Sequence, residues 1–144
     1  WGWLRAHPLL HLPVEAFALP LALTGLNSRW RLAAAFYLSS LLGTACTDLM
    51  MAVTGVMQAW PTVVMAPIDV APGLLHQAGL QLLHPLPMLL LALAAALILS
   101  LGRRWSQMGS SWSMAGAVLV TTVWVDGLFL ITALLQPGLS GLIE

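Results

Sequence analysis

The chain has 144 residues, of which 60% are hydrophobic and only 7% are charged. A soluble domain carries about a quarter charged residues, so this composition excludes a fully water-covered surface and indicates an integral membrane protein. Basic and acidic residues balance at five each, and all the basic residues are arginine. Without a basic run or an excess of positive charge, nucleic acid is not an expected partner.

The first apolar segment, Leu9 to Leu26, is long enough to cross a bilayer. Pro13 and Pro20 lie within it, and each removes a backbone hydrogen-bond donor. We therefore expect a bent helix here.

The second segment, Leu32 to Gln58, is predicted to be the hub helix against which the others pack. Small and hydroxyl-bearing residues recur every four positions, so they share one side of a helix. They are Ser39, Gly43 and Thr47 and, one position further on, Ser40, Thr44 and Asp48. Contact with lipid does not favour a face of small and hydroxyl-bearing residues, whereas close packing against another helix does. A carboxylate as deep as Asp48 is costly in lipid and should face inward.

Between residues 59 and 83, prolines and polar residues leave apolar pieces too short for a span, which needs about 20 residues. We predict a loop with one or two interfacial or re-entrant helices, the best being Pro72 to Leu83. A third span is predicted from His84 to Gly102 and a fourth from Met114 to Leu135. The expected fold is all-α: one transmembrane domain over residues 1–144, a bundle of about four transmembrane helices with an interfacial or re-entrant segment between helices two and three.

Arginines predict how the bundle is oriented. The two short turns on one side hold Arg29, Arg31, Arg103 and Arg104, and the other side holds only Arg5. The positive-inside tendency therefore makes the four-arginine side cytoplasmic or stromal and puts both termini on the lumenal or outer side.

This topology brings the rare polar residues of the spans together in the outer half of the membrane. Ionisable groups within a membrane usually face an interior or a cavity. The candidate site is therefore the polar intramembrane cluster of Glu15, Asp48, Thr122 and Asp126. Spans two and four run in parallel, so we expect Thr44 and Asp48 to meet Thr122 and Asp126 in one patch.

Four interpretations of these residues remain open. The aspartates can pin helix packing through hydrogen bonds, or the three carboxylates can form a path for protons or cations. His7, His11 and Glu15 have the four-residue spacing of a helical metal site, but neighbouring prolines interrupt that helix and we assign no metal ligand. Alternatively, a histidine such as His11, His76 or His84 can be the axial ligand of a tetrapyrrole.

Catalytic signatures are absent from the sequence. It contains no GxSxG, P-loop or GxGxxG pattern, so we expect no enzyme. The single cysteine, Cys46, is mid-span and is expected to pack as a small apolar residue. The favoured function is a non-catalytic small subunit or assembly factor of a larger membrane complex, with lipid and other integral membrane subunits as partners. The alternative is a proton- or ion-coupled transporter component that uses the buried carboxylates.

Three stretches of the first third of the chain carry a family resemblance. They are His7-Pro8 through Glu15 to Pro20, Arg29-Trp30-Arg31, and Phe36-Tyr37 through Gly43-Thr44 to Asp48. This part resembles a family of cyanobacterial integral membrane proteins of unknown function. Trp105-Ser106-Gln107, leading into a Gly/Ala-rich span, is similar to the trimer-forming small subunit of photosystem I, whose N-terminal motifs are missing here. The resemblance implies a thylakoid membrane, a place near photosynthetic complexes and contact with chlorophyll or carotenoid. It supplies no catalytic or binding residue.

Overall fold

The computed structural model describes residues 8–139, which fold as helices and short connections without a strand. The α-helices are α1 (Pro8–Glu15), α2 (Leu19–Gly25), α3 (Arg31–Val53), α4 (Val56–Met65), α5 (Ala71–Gln81), α6 (Pro85–Ser106) and α7 (Ser110–Leu135), with 3-10 turns at Ala16–Ala18 and Pro137–Leu139. By length and composition α3, α6 and α7 can each cross a membrane. The prediction of an all-α bundle of the membrane type is confirmed.

The first apolar segment is bent, as its prolines predict. A 3-10 turn separates α1 from α2, and Pro20 lies in the first turn of α2. Because Pro20 has no N–H to donate to the carbonyl of Ala16 four residues earlier, the α-helical pattern breaks there. Leu19 donates to that carbonyl instead, in the tighter 3-10 pattern. This segment therefore consists of two short helices and a 3-10 turn, unlike the three long helices.

The hub helix is shorter than predicted at its C-terminal end. Helix α3 ends at Val53, so the expected continuation to Gln58 is wrong. Gly55 has a φ of +81°, in the left-handed region that only glycine adopts without cost, and the chain turns there into α4. The region expected to be a loop with one or two short helices holds two, α4 and α5, and α5 begins at Ala71, next to the predicted start at Pro72.

Helix α3 contacts five other helices of the described chain: α1, α2, α4, α6 and α7. The prediction that it is the hub is therefore confirmed. Helix α7 lies between α3 and α6 and makes its most extensive contacts with these two. The α4–α5 hairpin packs on the last turns of α7, where Leu75 and Val63 form a small core with Ala133.

Two glycines allow α6 and α7 to touch. A Cβ atom added to Gly102 would lie 2.9 Å from Val120 Cγ2 and 3.0 Å from the carbonyl oxygen of Gly116. A Cβ atom on Gly116 would collide with the carbonyl oxygen of Gly102. In lipid, where apolar burial provides little driving force, such close backbone approach supplies the packing energy.

Candidate functional site

Two contacts fix how α3 and α7 lie against each other. Gly43 faces Thr122, whose Oγ1 atom would be 2.7 Å from a Cβ added to the glycine. One turn further on, Thr47 contacts Asp126, 79 residues later in the chain. The same offset of 79 separates Gly43 from Thr122, so the two helices run in parallel and in register. This confirms the parallel arrangement predicted for spans two and four.

The polar contact between these helices is a hydrogen bond about midway along their length. The Thr47 hydroxyl donates to Oδ2 of Asp126 at 2.6 Å, a length typical of a hydroxyl bound to a carboxylate. Asp126 is nine residues before the end of α7, or ~14 Å at 1.5 Å per residue. Its side chain lies at the outer edge of the α3–α7 seam and is exposed.

Asp48 occupies a different environment from Asp126. It is only 6% exposed, and its Oδ2 atom is shielded from the surface. Adjacent residues of a helix differ by about 100° in direction, so Asp48 faces the interior while Thr47 reaches the seam. The hydroxyl beside Asp126 is thus that of Thr47, whereas the sequence spacing predicts Thr44 in the patch. Thr47 belongs to the series Ser39-Gly43-Thr47, whose four-residue spacing indicates that Thr47 lies on the packed face of the helix.

Thr122, the remaining hydroxyl of the predicted cluster, bonds within its own helix. Its Oγ1 donates to the carbonyl oxygen of Val118 at 3.1 Å, and its side chain packs on Gly43. It therefore serves the packing of the seam next to the Thr47–Asp126 bond.

Glu15 lies at another level of the bundle. Its backbone carbonyl accepts a hydrogen bond from the hydroxyl of Tyr37. Tyr37 precedes Asp48 by eleven positions on α3, or ~16 Å along the helix. The Tyr37 bond therefore ties the backbone at Glu15 to the half of α3 that begins at Arg31.

The candidate pigment or metal ligands are scattered. His76 is half-buried, with Nδ1 3.4 Å from the carbonyl oxygen of Ala133, and His84 is exposed at the start of α6. His7 and the side chain of His11 lie outside the described residues. Within the part of the chain that is described, no three His, Cys, Asp or Glu side chains are grouped as a metal site would need. Axial ligation by these histidines stays a prediction.

One stretch of α7, residues 124–128, is exposed along its whole length, although Thr47 of α3 contacts Asp126 within it. All five residues are exposed, including Trp124 at 66%. A Cβ atom added to Gly127 would meet nothing within 4 Å. Cover resumes at Phe129, whose ring lies edge-on to that of Trp60 at 6.4 Å. We call residues 124–128 the open segment of α7; it carries Asp126 at its centre.

The family model described as "Protein of unknown function (DUF3120)" matches residues 1–134 of the chain. The chain therefore belongs to this family, and the expectation of a family of unknown function is confirmed. No curated protein and no solved structure matches the chain.

Proposed function

We propose that this member of an uncharacterised family is a non-catalytic small integral-membrane subunit, or an assembly factor, of a larger membrane complex. The observation that carries the proposal is the open segment of α7. It exposes a carboxylate, a glycine and a tryptophan on a helix that is long and apolar enough to cross a membrane.

Contact with lipid is energetically unfavourable for Asp126. On insertion scales an aspartate at the centre of a spanning helix costs about 2.5–3.5 kcal/mol. The Thr47 hydroxyl binds only one of the two carboxyl oxygens, so a large part of that cost remains. A neighbouring protein helix with a hydrogen-bond donor would remove it.

The residues beside Asp126 suit such a neighbour. Gly127 has open space around it, so the backbone of a second helix can approach closely, as at other small-residue contacts in membranes. Trp124 points about 160° away from Asp126 around the helix, so its exposed ring offers a second apolar contact area, with one N–H donor, on the other side of α7.

The experiment is purification in mild detergent followed by native electrophoresis of the chain and two leucine variants. Wild type is expected to migrate with a larger complex. Gly127→Leu should lose this association because its side chain fills the approach path. Gly73→Leu is the matched control, since Gly73 is also helical with nothing within 4 Å of an added Cβ. A wild-type chain that migrates as a free monomer would contradict the proposal.

We place the complex in a photosynthetic membrane, with contact to chlorophyll or carotenoid and with both termini on the lumenal side of a cyanobacterial thylakoid. The support is the resemblance carried by Arg29-Trp30-Arg31 and its neighbouring motifs, together with the uneven distribution of arginine. Fractionation of thylakoid from plasma membrane and a visible absorption spectrum of the purified complex test this. A colourless complex in the plasma membrane would contradict it.

The hydrogen bond between Thr47 and Asp126 favours a second candidate, a component of a proton- or ion-coupled transporter. A carboxyl group with a hydroxyl neighbour at mid-span can exchange a proton or hold a cation. In that case Asp126→Asn should abolish transport while the complex still assembles. Under the subunit proposal, the same variant should weaken assembly itself.

A further inference from the structure

One end of the bundle concentrates positive charge. Helices α3 and α7 are parallel and in register and begin at Arg31 and Ser110. The turn before α3 and the turn between α6 and α7 therefore lie at the same end. Four arginines occupy these turns and the adjoining helix ends: Arg29, Arg31, Arg103 and Arg104. We call this the arginine end.

Acidic residues are remote in sequence from these arginines. The chain has none between Glu15 and Asp48 and none between Asp69 and Asp126. All four arginine side chains are exposed. The end therefore presents four positive charges without a carboxylate in the segments that carry them.

Aromatic rings accompany the guanidinium groups. The Arg29 guanidinium carbon lies 5.4 Å from the centroid of the Trp30 ring, and these two residues border a shallow, open depression of the surface. On either side of the turn between α6 and α7, the ring centroids of Trp105 and Trp112 lie 5.2 Å apart. Tryptophan favours the headgroup level of a bilayer, where one side of the indole is wet and the other apolar.

We propose that the arginine end is a binding site for anionic lipid, with the phosphate or sulfonate of the headgroup held by Arg29 over Trp30 and by the neighbouring arginines. A guanidinium matches such groups with paired N–H donors, and stacking on Trp30 orients that of Arg29. A lipid fits better than a soluble anion because these residues end helices of membrane-spanning length. The site requires no protein partner, so it stands apart from the function proposed above.

The test is native mass spectrometry of the purified full chain with equal amounts of phosphatidylglycerol and phosphatidylcholine of identical acyl chains. Wild type should retain phosphatidylglycerol preferentially.

A basic residue near an anionic membrane surface strengthens association about fivefold, so Arg29→Gln should reduce the preference about fivefold. Replacing all four arginines by glutamine should abolish it, and replacing them by lysine should keep most of it, because the charge remains. Arg5→Gln removes the same charge from the side that the sequence predicts to be opposite; it is the matched control and should leave the preference unchanged.

Two results would overturn the proposal. One is an equal preference for phosphatidylglycerol in wild type and in Arg29→Gln, a substitution at an exposed turn that the fold tolerates. The other is displacement of the bound lipid by inorganic phosphate at the same concentration, which would show a site for free anions. A reduced preference in Arg29→Gln without such displacement would support it, whether or not a protein complex is ever found.

Discussion

Replacing Gly43 by alanine should destabilise the seam between α3 and α7. The added Cβ would lie 2.7 Å from Oγ1, 3.1 Å from Cγ2 and 3.3 Å from Cβ of Thr122. Ordinary contact begins near 3.4 Å, so the helices would have to separate by ~0.7 Å, or Thr122 would have to turn. Turning does not relieve the clash, since only one of the three staggered positions on a threonine Cβ carries hydrogen. One γ atom would always stay near Gly43.

The expected cost follows from overpacking a close contact, which typically destabilises by about 1–3 kcal/mol. It can be measured as the free energy of unfolding in mixed micelles titrated with sodium dodecyl sulfate and followed by far-UV circular dichroism. Gly127→Ala is the matched control on α7, because its added Cβ meets nothing within 4 Å. That variant should be neutral or gain up to about 1 kcal/mol of helix propensity.

A second substitution isolates the contact itself. Thr122→Ala removes both γ atoms and leaves only its Cβ, at 3.3 Å. The double variant with Gly43→Ala should therefore recover most of the lost stability, with a coupling energy of about 1–3 kcal/mol. If Gly43→Ala unfolds within about 0.5 kcal/mol of wild type, or if the two changes are simply additive, the proposed register of the seam is wrong.

Three further predictions concern other parts of the bundle. With the native cysteine removed, cysteines placed at Ser28 and Ser110 should label from one side of the membrane and one at Asp69 from the other; labelling of all three from one side would contradict the topology. Thr47→Val should destabilise the chain by about 1–3 kcal/mol by leaving a carboxylate without its hydroxyl donor, whereas Thr47→Ser should not; equal unfolding of the two variants would contradict this. Gly102→Leu should separate α6 from α7 and cost at least about 1–3 kcal/mol, with Gly102→Ala intermediate; wild-type stability of the leucine variant would contradict the close crossing.

The inward face of α3 could be predicted from sequence because helical periodicity is a local property. Ser39 and Gly43 were expected on the packed side and are buried there. The end of this helix could not be predicted in the same way. A glycine within an apolar run is compatible with a continuous helix, and only the φ of +81° at Gly55 shows the turn. Such a conformation depends on how the following hairpin packs.

The candidate site was predictable only in part, for a related reason. Sequence spacing placed hydroxyls and carboxylates on neighbouring faces of α3 and α7. The directions of Thr44 and Thr47 differ by about 60° around α3 and their positions by ~4.5 Å along it, and docking of the two helices brings Thr47 to Asp126. The crossing of Gly102 with Gly116 was not predicted, because the predicted third span ended at Gly102 and so left out Ser106, the small residue four positions later in the same helix.

The separation of 79 residues between Thr47 and Asp126 also sets an order for biogenesis. At about 5–20 residues per second, α7 leaves the ribosome ~4–16 s after the face of α3 that it covers. During this interval Gly43 and Thr47 have no α7 beside them, and the hairpin of α4 and α5 lacks the end of α7 on which it packs. Until α7 has been synthesised, the first three-quarters of the chain therefore form a bundle that lacks this helix. A membrane insertase or chaperone that shields the small-residue face of α3 would act in this interval, before the last helix completes the bundle.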